Sequence, residues 1–337
     1  MISKGITHRW IGSTLCTTIL LAGIAGCQSQ KPPPTDTSAA QVEAAGTDQP
    51  APGQAVFASD KDAAAALLAA LKEQDHHQLH QIFGPALKEL ASGDKVEDHR
   101  HFEAFVAHAK EKFQLQKENA NTSIILVGNK SWPFPIPIVQ SANGRWFFDT
   151  EAGKQEILTR RIGGDELEAI HVCHAYVIAQ KIYFATGHDG STLREYAQRL
   201  VSKPGTHDGL YWPATPGTPQ SPFSALAAEA ENAGYTPGVH PSGSHGPRPF
   251  FGYYFHILTR QGPAASGGAR NYVVNGKMVN GFALVAYPDR YGASGVMSFI
   301  VNQDGQVYQK DLGPDTVELA KQMTSYNPDA SWTLVRP

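Results

Sequence analysis

Three dipeptides, Asn143-Gly144, Asn275-Gly276 and Asp304-Gly305, constrain the fold of this chain more than any other feature. Asn-Gly and Asp-Gly readily supply the positive-φ residues of a tight turn, so each commits its neighbours to antiparallel pairing. The first joins an extended segment, Phe134 to Val139, to Arg145 to Phe148. The third joins Val296 to Val301 with Gln306 to Lys310, and further strands are predicted at Ser123 to Val127, Phe250 to Thr259 and Phe282 to Tyr287. The Trp132-Pro133-Phe134-Pro135-Ile136-Pro137 run suits an edge strand or a polyproline segment, because Pro cannot donate to a ladder.

Helices are predicted around these strands, which makes the fold class α+β. Ser59, with Asp60 and Asp62, starts one through Leu71, and a second spans 76 to 90 with a break at Gly84-Pro85. Asp98 caps a third, whose Phe102, Phe105, Val106, Ala109 and Phe113 fall three and four apart. Three helices before a small antiparallel sheet resemble, at the level of topology, a cystatin-like or nuclear-transport-factor-like cone. A longer helix is predicted from Asp165 to about Ala185, with Ile170, Cys173, Val177 and Phe184 on one face. A short helical turn is predicted at Tyr196 to Val201, a short helix near 224 to 233, and a closing helix capped by Asp315. Gly238 to Pro249 has too little apolar content to pack.

The N-terminus reads as an export signal. Lys4, His8 and Arg9 precede an apolar run from Trp10 to Ala25, and Ile24-Ala25-Gly26-Cys27 resembles the bacterial lipobox, which predicts cleavage before Cys27 and its acylation. Gln28 at the next position suits export to an outer membrane. Residues 27 to 54, rich in Pro, Ala, Thr and Gln, lack the apolar side chains that offset the entropy of ordering and read as a tether. Of the three cysteines, Cys16 leaves with the signal, Cys27 takes lipid and Cys173 reads as a core residue, leaving no internal disulfide. Lys and Arg number 28 against 31 Asp and Glu. That balance provides no basic field for nucleic acid.

Few residues carry an enzymatic signature. His76, His77 and His80 include an i, i+4 pair but lie in a polar stretch that reads as a solvated helix face. Cys173 and His174 point about 100° apart on a helix and do not share an ion readily. No metal site and no cofactor is expected. The chain has no Gly-x-Ser-x-Gly, no His-Glu-x-x-His and no Gly-rich nucleotide motif. The remaining candidates for a surface or cleft are Arg160 and Arg161 beside Asp165 and Glu166, read as an interdomain network or an anion clamp, and the aromatics Trp132 and Trp212, read as core or as a stacking platform. The segment Gln261 to Gly268 reads as a hairpin loop.

Several longer blocks carry a resemblance. WPFPIP (132 to 137), RRIGGDEL (160 to 167), AQKIYF (179 to 184), DGLYWP (208 to 213), GYYFHILTRQGPAA (252 to 265), GKMVNGFALVAYP (276 to 288) and YGASGVMSFIVNQDGQVYQKDLG (291 to 313) are similar to the bacterial domain of unknown function 2950 family. The resemblance implies an exported or lipid-anchored protein and no established activity. The second half is also similar to the soluble head of pilins and pseudopilins, a long helix packed on an antiparallel meander. The charged, Gly-rich Leu158 to Glu166 segment replaces the apolar helix that a pilin buries in the bilayer.

The expected organisation is a signal at 1 to 26, a tether at 27 to 54, an N-terminal α+β domain at 55 to 157 and a pilin-like domain at 158 to 337. The expected function is that of a lipid-anchored cell-envelope binding or assembly module, facing the periplasm from the outer membrane, with an envelope protein or surface polymer as partner. The alternative is an enzyme or ligand-binding protein acting on such a polymer through an interdomain cleft.

Overall fold

The computed structural model describes residues 48–91, 95–187, 194–232 and 249–336. The signal, Cys27, most of the tether and residues 238 to 248 lie outside them.

The chain becomes ordered against its own core before the first helix. Gln54 Nε2 donates to Ile82 O at 3.0 Å and to Phe148 O at 2.7 Å. Helix α1 (Asp60–Glu73) is capped by Ser59, whose Oγ accepts from Asp62 N, and buries Ala63, Leu67, Ala70 and Leu71. Helix α2 (His76–Phe83) stops at Gly84, and Pro85–Leu90 forms a 3-10 turn. The break falls where the missing proline N–H requires it. Helix α3 (Lys95–Glu111) starts before Asp98, so Asp98 lies in its first turn instead of capping it. A carboxylate there is favoured by the helix dipole just as a cap is, which makes the two positions hard to tell apart from sequence.

Phe113 does not belong to the third helix, as its spacing predicted, but to β1 (Phe113–Lys117). Phe113 and Leu115 are half-buried while Gln114, Gln116 and Lys117 are exposed, a period of two instead of 3.6. It pairs with β2 (Thr122–Val127), and β3 (Trp132–Pro133), β4 (Ile138–Gln140) and β5 (Trp146–Phe148) complete an antiparallel sheet of order β1-β2-β4-β5 with β3 beside β2. Asn143-Gly144 closes the β4–β5 hairpin, in which Ser141 N donates to Arg145 O at 2.8 Å. Leu67, Leu71, Ile82, Phe83, Val106, Ile125, Ile138 and Phe148 make the core between helices and sheet.

Helix α4 (Thr150–Thr186) is 37 residues long, about 55 Å at 1.5 Å per residue. It begins fifteen positions before the predicted start. Asp149 caps it by accepting from Ala152 N at 3.0 Å, and Thr150 Oγ1 donates to Phe83 O at 2.8 Å. Gly163 and Gly164, from the segment noted as Gly-rich, sit mid-helix with open space around them. Each costs about 1 kcal/mol relative to Ala. Packing on both sides of the pair outweighs that. The helix therefore runs through the expected boundary at 157/158 and packs against both cores.

After α4, Tyr196 to Val201 is extended instead of helical. Tyr196 bridges Met278 and Val201 bridges Tyr211, pairings across the chain that no local pattern shows. Helix α5 (Ser224–Asn232) follows. The second sheet has the order β15-β13-β12-β11-β6 and is antiparallel throughout: β6 (Tyr253–Leu258), β11 (Ala283–Pro288), β12 (Met297–Asn302), β13 (Val307–Asp311) and β15 (Thr333–Leu334). A three-stranded sheet of β7 (Arg260–Gln261), β8 (Arg270–Asn271) and β14 (Ser325–Tyr326), and the hairpin β9 (Val273–Val274) with β10 (Lys277–Met278), fill the sides. Asn275 (φ 50) and Gly276 (φ 78) form that hairpin's two-residue turn, and Asp304-Gly305 lies between β12 and β13. Strand β11 is buried along all six residues, with both α4 and α6 (Thr316–Gln322) packed against it. Antiparallel sheets with helices set against them make this an α+β fold. Among the described residues no helix is long and apolar enough to cross a membrane.

Candidate functional site

Three of the motif blocks converge on one polar cluster. The buried face of α4 carries Asp165, Ala169, Cys173 and Tyr176, spaced four, four and three. The spacing places the Asp165 carboxylate in an otherwise apolar stripe. It meets the turn at Gly252 and the loop from Tyr291 to Val296. Gly252 has φ 68, and a Cβ there would stand 2.7 Å from Asp165 Oδ2 and 2.7 Å from the Ser294 Cβ. Only glycine fits both the angle and the space.

Its neighbour Glu166 fixes the loop. One carboxylate oxygen, Oε1, accepts both the Val296 and the Met297 amides at 3.0 Å. Ser294 Oγ accepts from Arg290 N at 3.1 Å and donates to Arg290 O. The Tyr253 hydroxyl donates to Met297 O at 2.8 Å. Burial pushes the Tyr253 phenol upward, and the nearby Glu166 and Asp165 charges push it further. Glycine at 295 leaves room for that hydroxyl, since a Cβ would collide with it. Beneath lies Cys173, whose thiol burial pushes up to about 12. On β12, Ser298 Oγ is buried with no hydrogen-bond partner among the described residues.

Arg160 and Arg161 act at the other end of the same motif. Arg160 Nε donates to Glu156 Oε1 at 2.8 Å and its Nη1 to Pro133 O at 2.9 Å, tying α4 to β3. Arg161 donates to Leu90 O at the end of the 3-10 turn. Both bridge elements through backbone carbonyls, those of Pro133 and Leu90, and not through Asp165. Lys154 adds ion pairs to Glu89 and Glu151.

The aromatics divide. Trp132 is 60% exposed on β3. Trp212 is in the core, its Nε1 donating to Pro219 O at 2.9 Å and its ring 4.5 Å from that of His207, so it offers no stacking surface. The Pro- and Gly-rich loop that follows folds over the indole. Trp146 is buried under Lys117, whose Nζ lies 4.1 Å from the ring centroid. His76 packs on Phe102, His171 Nε2 lies 3.0 Å from Glu229 Oε2, and no group of three metal-binding side chains occurs among the described residues. The Gln261 to Gly268 loop is organised from within: Gln261 Nε2 donates to Ser266 O and Gly268 O, and its Oε1 accepts from Tyr272.

Sequence reasoning singled out Asp165 and Glu166, as partners of the arginines, and missed Tyr253, Ser294 and Gln261. The available signal was the i, i+4, i+8 spacing of Asp165 with Ala169 and Cys173, which buries a carboxylate and demands polar groups opposite it.

The fold and the cluster define an α+β protein whose long shared helix uses the Glu166 carboxylate to lock a glycine-containing loop. The chain belongs to the family described as protein of unknown function (DUF2950), whose model matches residues 54–335. No curated protein and no solved structure matches it, and the likeness to pilin heads is not confirmed.

Proposed function

We propose that the protein is a lipid-anchored component of a bacterial cell envelope, held through Cys27 and acting by binding instead of catalysis. The reading of the anchor rests on the charged start, the apolar run and the small residues before Cys27. One surface observation carries the binding role. Along the outer face of α4, Leu167 is 70% exposed, Ile178 61% and Ile182 43%, at spacings of eleven and four that place them on one stripe. Large aliphatic side chains left exposed along one side of a helix, with His171 and His174 between them, fit a partner surface better than free solvent.

The cluster supports the same reading. Its nucleophilic groups hold the fold: Cys173 is buried with a raised pKa, Ser294 is engaged with Arg290, and Glu166 holds two amides. The partner proposed is an envelope protein or a surface polymer, and the location an outer membrane facing the periplasm.

Mass spectrometry of the N-terminal peptide from native membranes tests the anchor, with acylated Cys27 expected. Recovery of the chain in the soluble fraction with unmodified Cys27 overturns it. Crosslinking from a photoreactive residue at Ile178, in intact cells, tests the binding face. One discrete adduct is expected there, absent when the probe sits on the exposed Gln155 of the same helix.

A further inference from the structure

At the junction of α3, α4 and the 3-10 turn, the fold gathers positive charge. Arg100 of α3 places its guanidinium carbon 5.3 Å from the centroid of the Phe251 ring, and its Nη2 lies 3.4 Å from His101 Nε2. Arg161 reaches in from α4 and donates to Leu90 O, which fixes its guanidinium at the end of the 3-10 turn. Phe251 is buried and sits at φ 47, so the surface under Arg100 is itself held firmly. Among the described residues, neither Arg100 nor Arg161 has a carboxylate within 4.0 Å, whereas Arg160, one position away, has Glu156 at 2.8 Å.

We propose that Arg100, His101 and Arg161 form a binding site for a phosphoryl group, carried by free phosphate or by a lipid headgroup. Guanidinium forks match the geometry of phosphate oxygens and can hold them by paired N–H donors, and His101 adds a third donor when protonated. Arg100 is braced by the Phe251 ring and Arg161 by the Leu90 carbonyl, so part of the ordering is already done before an anion arrives.

The groups around His101 give the proposal its handle. His101 is exposed, yet partial desolvation by its neighbours holds it below its usual pKa, Arg100 and Arg161 lower it further, and Asp98 on its own helix opposes them. An anion seated between the arginines cancels their repulsion, so the pKa of His101 rises on binding and binding strengthens as pH falls. The proposal does not depend on acylation of Cys27.

The test uses the full chain in a neutral detergent, with His101 followed by exchange of its imidazole C2 proton and mass spectrometry. Inorganic phosphate is titrated against sodium chloride of equal ionic strength. In parallel, the protein is placed in phosphatidylglycerol or phosphatidylcholine nanodiscs. The expected result is a raised His101 pKa with phosphate or with phosphatidylglycerol, and not with chloride or phosphatidylcholine. A response to phosphatidylglycerol alone assigns the lipid headgroup, and a response to free phosphate assigns the soluble anion. Arg100→Gln is expected to weaken the response about tenfold or more, the loss of one charge-assisted contact, and Arg100→Lys to weaken it less. Equal thermal midpoints for the two Arg100 variants separate lost binding from lost folding. An unmoved His101 in all four conditions overturns the proposal, as does a response that Arg100→Gln and Arg161→Gln leave unchanged.

Discussion

Gln180 and Ala197 exchange a reciprocal pair of hydrogen bonds: the Gln180 Nε2 donates to Ala197 O at 2.8 Å and Ala197 N donates to Gln180 Oε1 at 2.8 Å. A side-chain amide thus takes the place of a strand, and it does so fully buried, with Nε2 also donating to the Tyr176 hydroxyl at 3.0 Å. This pair is what holds the 194 to 201 segment extended against α4.

Replacing that amide with an aliphatic side chain of similar size leaves the Ala197 N–H and C=O buried without partners. Gln180→Leu is therefore expected to destabilise by about 2–4 kcal/mol, two desolvated backbone groups at their usual cost. Urea denaturation checks this, and a loss under 1 kcal/mol would mean that Ala197 finds other partners.

The loop locked by Glu166 gives a sharper test, because two substitutions there are coupled. Glu166→Ala is expected to cost about 1–3 kcal/mol by freeing the Val296 and Met297 amides, while Glu166→Gln keeps a carbonyl acceptor and costs less. Gly295→Ala drives a methyl into the Tyr253 hydroxyl. Tyr253→Phe removes that hydroxyl, so the double variant is expected to lose less stability than the sum of the two singles. Strict additivity would show that the loop shifts away from Tyr253 instead of resting on it.

The hairpins were legible because their turn chemistry is local: Asn275 and Gly276 state their positive φ in the residues themselves. The start of α4 was not, because Gly163-Gly164 is a local argument for a break and the packing that overrides it comes from residues far along the chain. Tyr196 failed for the same reason, its environment being built by Met278. At the polar cluster, Asp165 could be named from its place beside Ala169 and Cys173, but Tyr253 and Ser294 have no pattern that links them to a helix so much earlier in the chain. Periodicity reports which face is buried, and only the fold says what the face meets.

Asp60 links stability to pH. Burial alone would raise its pKa, but hydrogen bonds from Ser123 at 2.6 Å and Lys117 at 3.1 Å, the Lys117 charge and the Lys61 amide outweigh burial and hold it below the usual value. A carboxyl with a depressed folded pKa stabilises above its unfolded value, about 3.9, and loses that contribution as pH falls through the folded one. Asp60→Asn is therefore expected to lose about 1–2 kcal/mol at pH 7, from a weakened bond between α1 and β2. The gap between wild type and variant should close below about pH 4. A gap that stays constant down to pH 2.5 in urea melts would show that Asp60 acts through its hydrogen bond with Ser123 and not through its charge.

Cys173 supplies the last prediction. Its thiol lies fully buried on α4 and burial pushes it up to about 12. At pH 8 such a thiol stays protonated, and the thiolate is the form that reacts. The surrounding core also bars a reagent from reaching sulfur without opening the helix from its sheet. Alkylation by iodoacetamide, read on the Cys173 peptide, is therefore expected to be limited by unfolding and not by thiol chemistry. Its rate should rise with urea in step with the unfolding transition and should increase in Gln180→Leu, which loosens the same stretch of α4. Alkylation within minutes in native buffer, insensitive to Gln180→Leu, would place Cys173 in a locally open segment and remove it from the core.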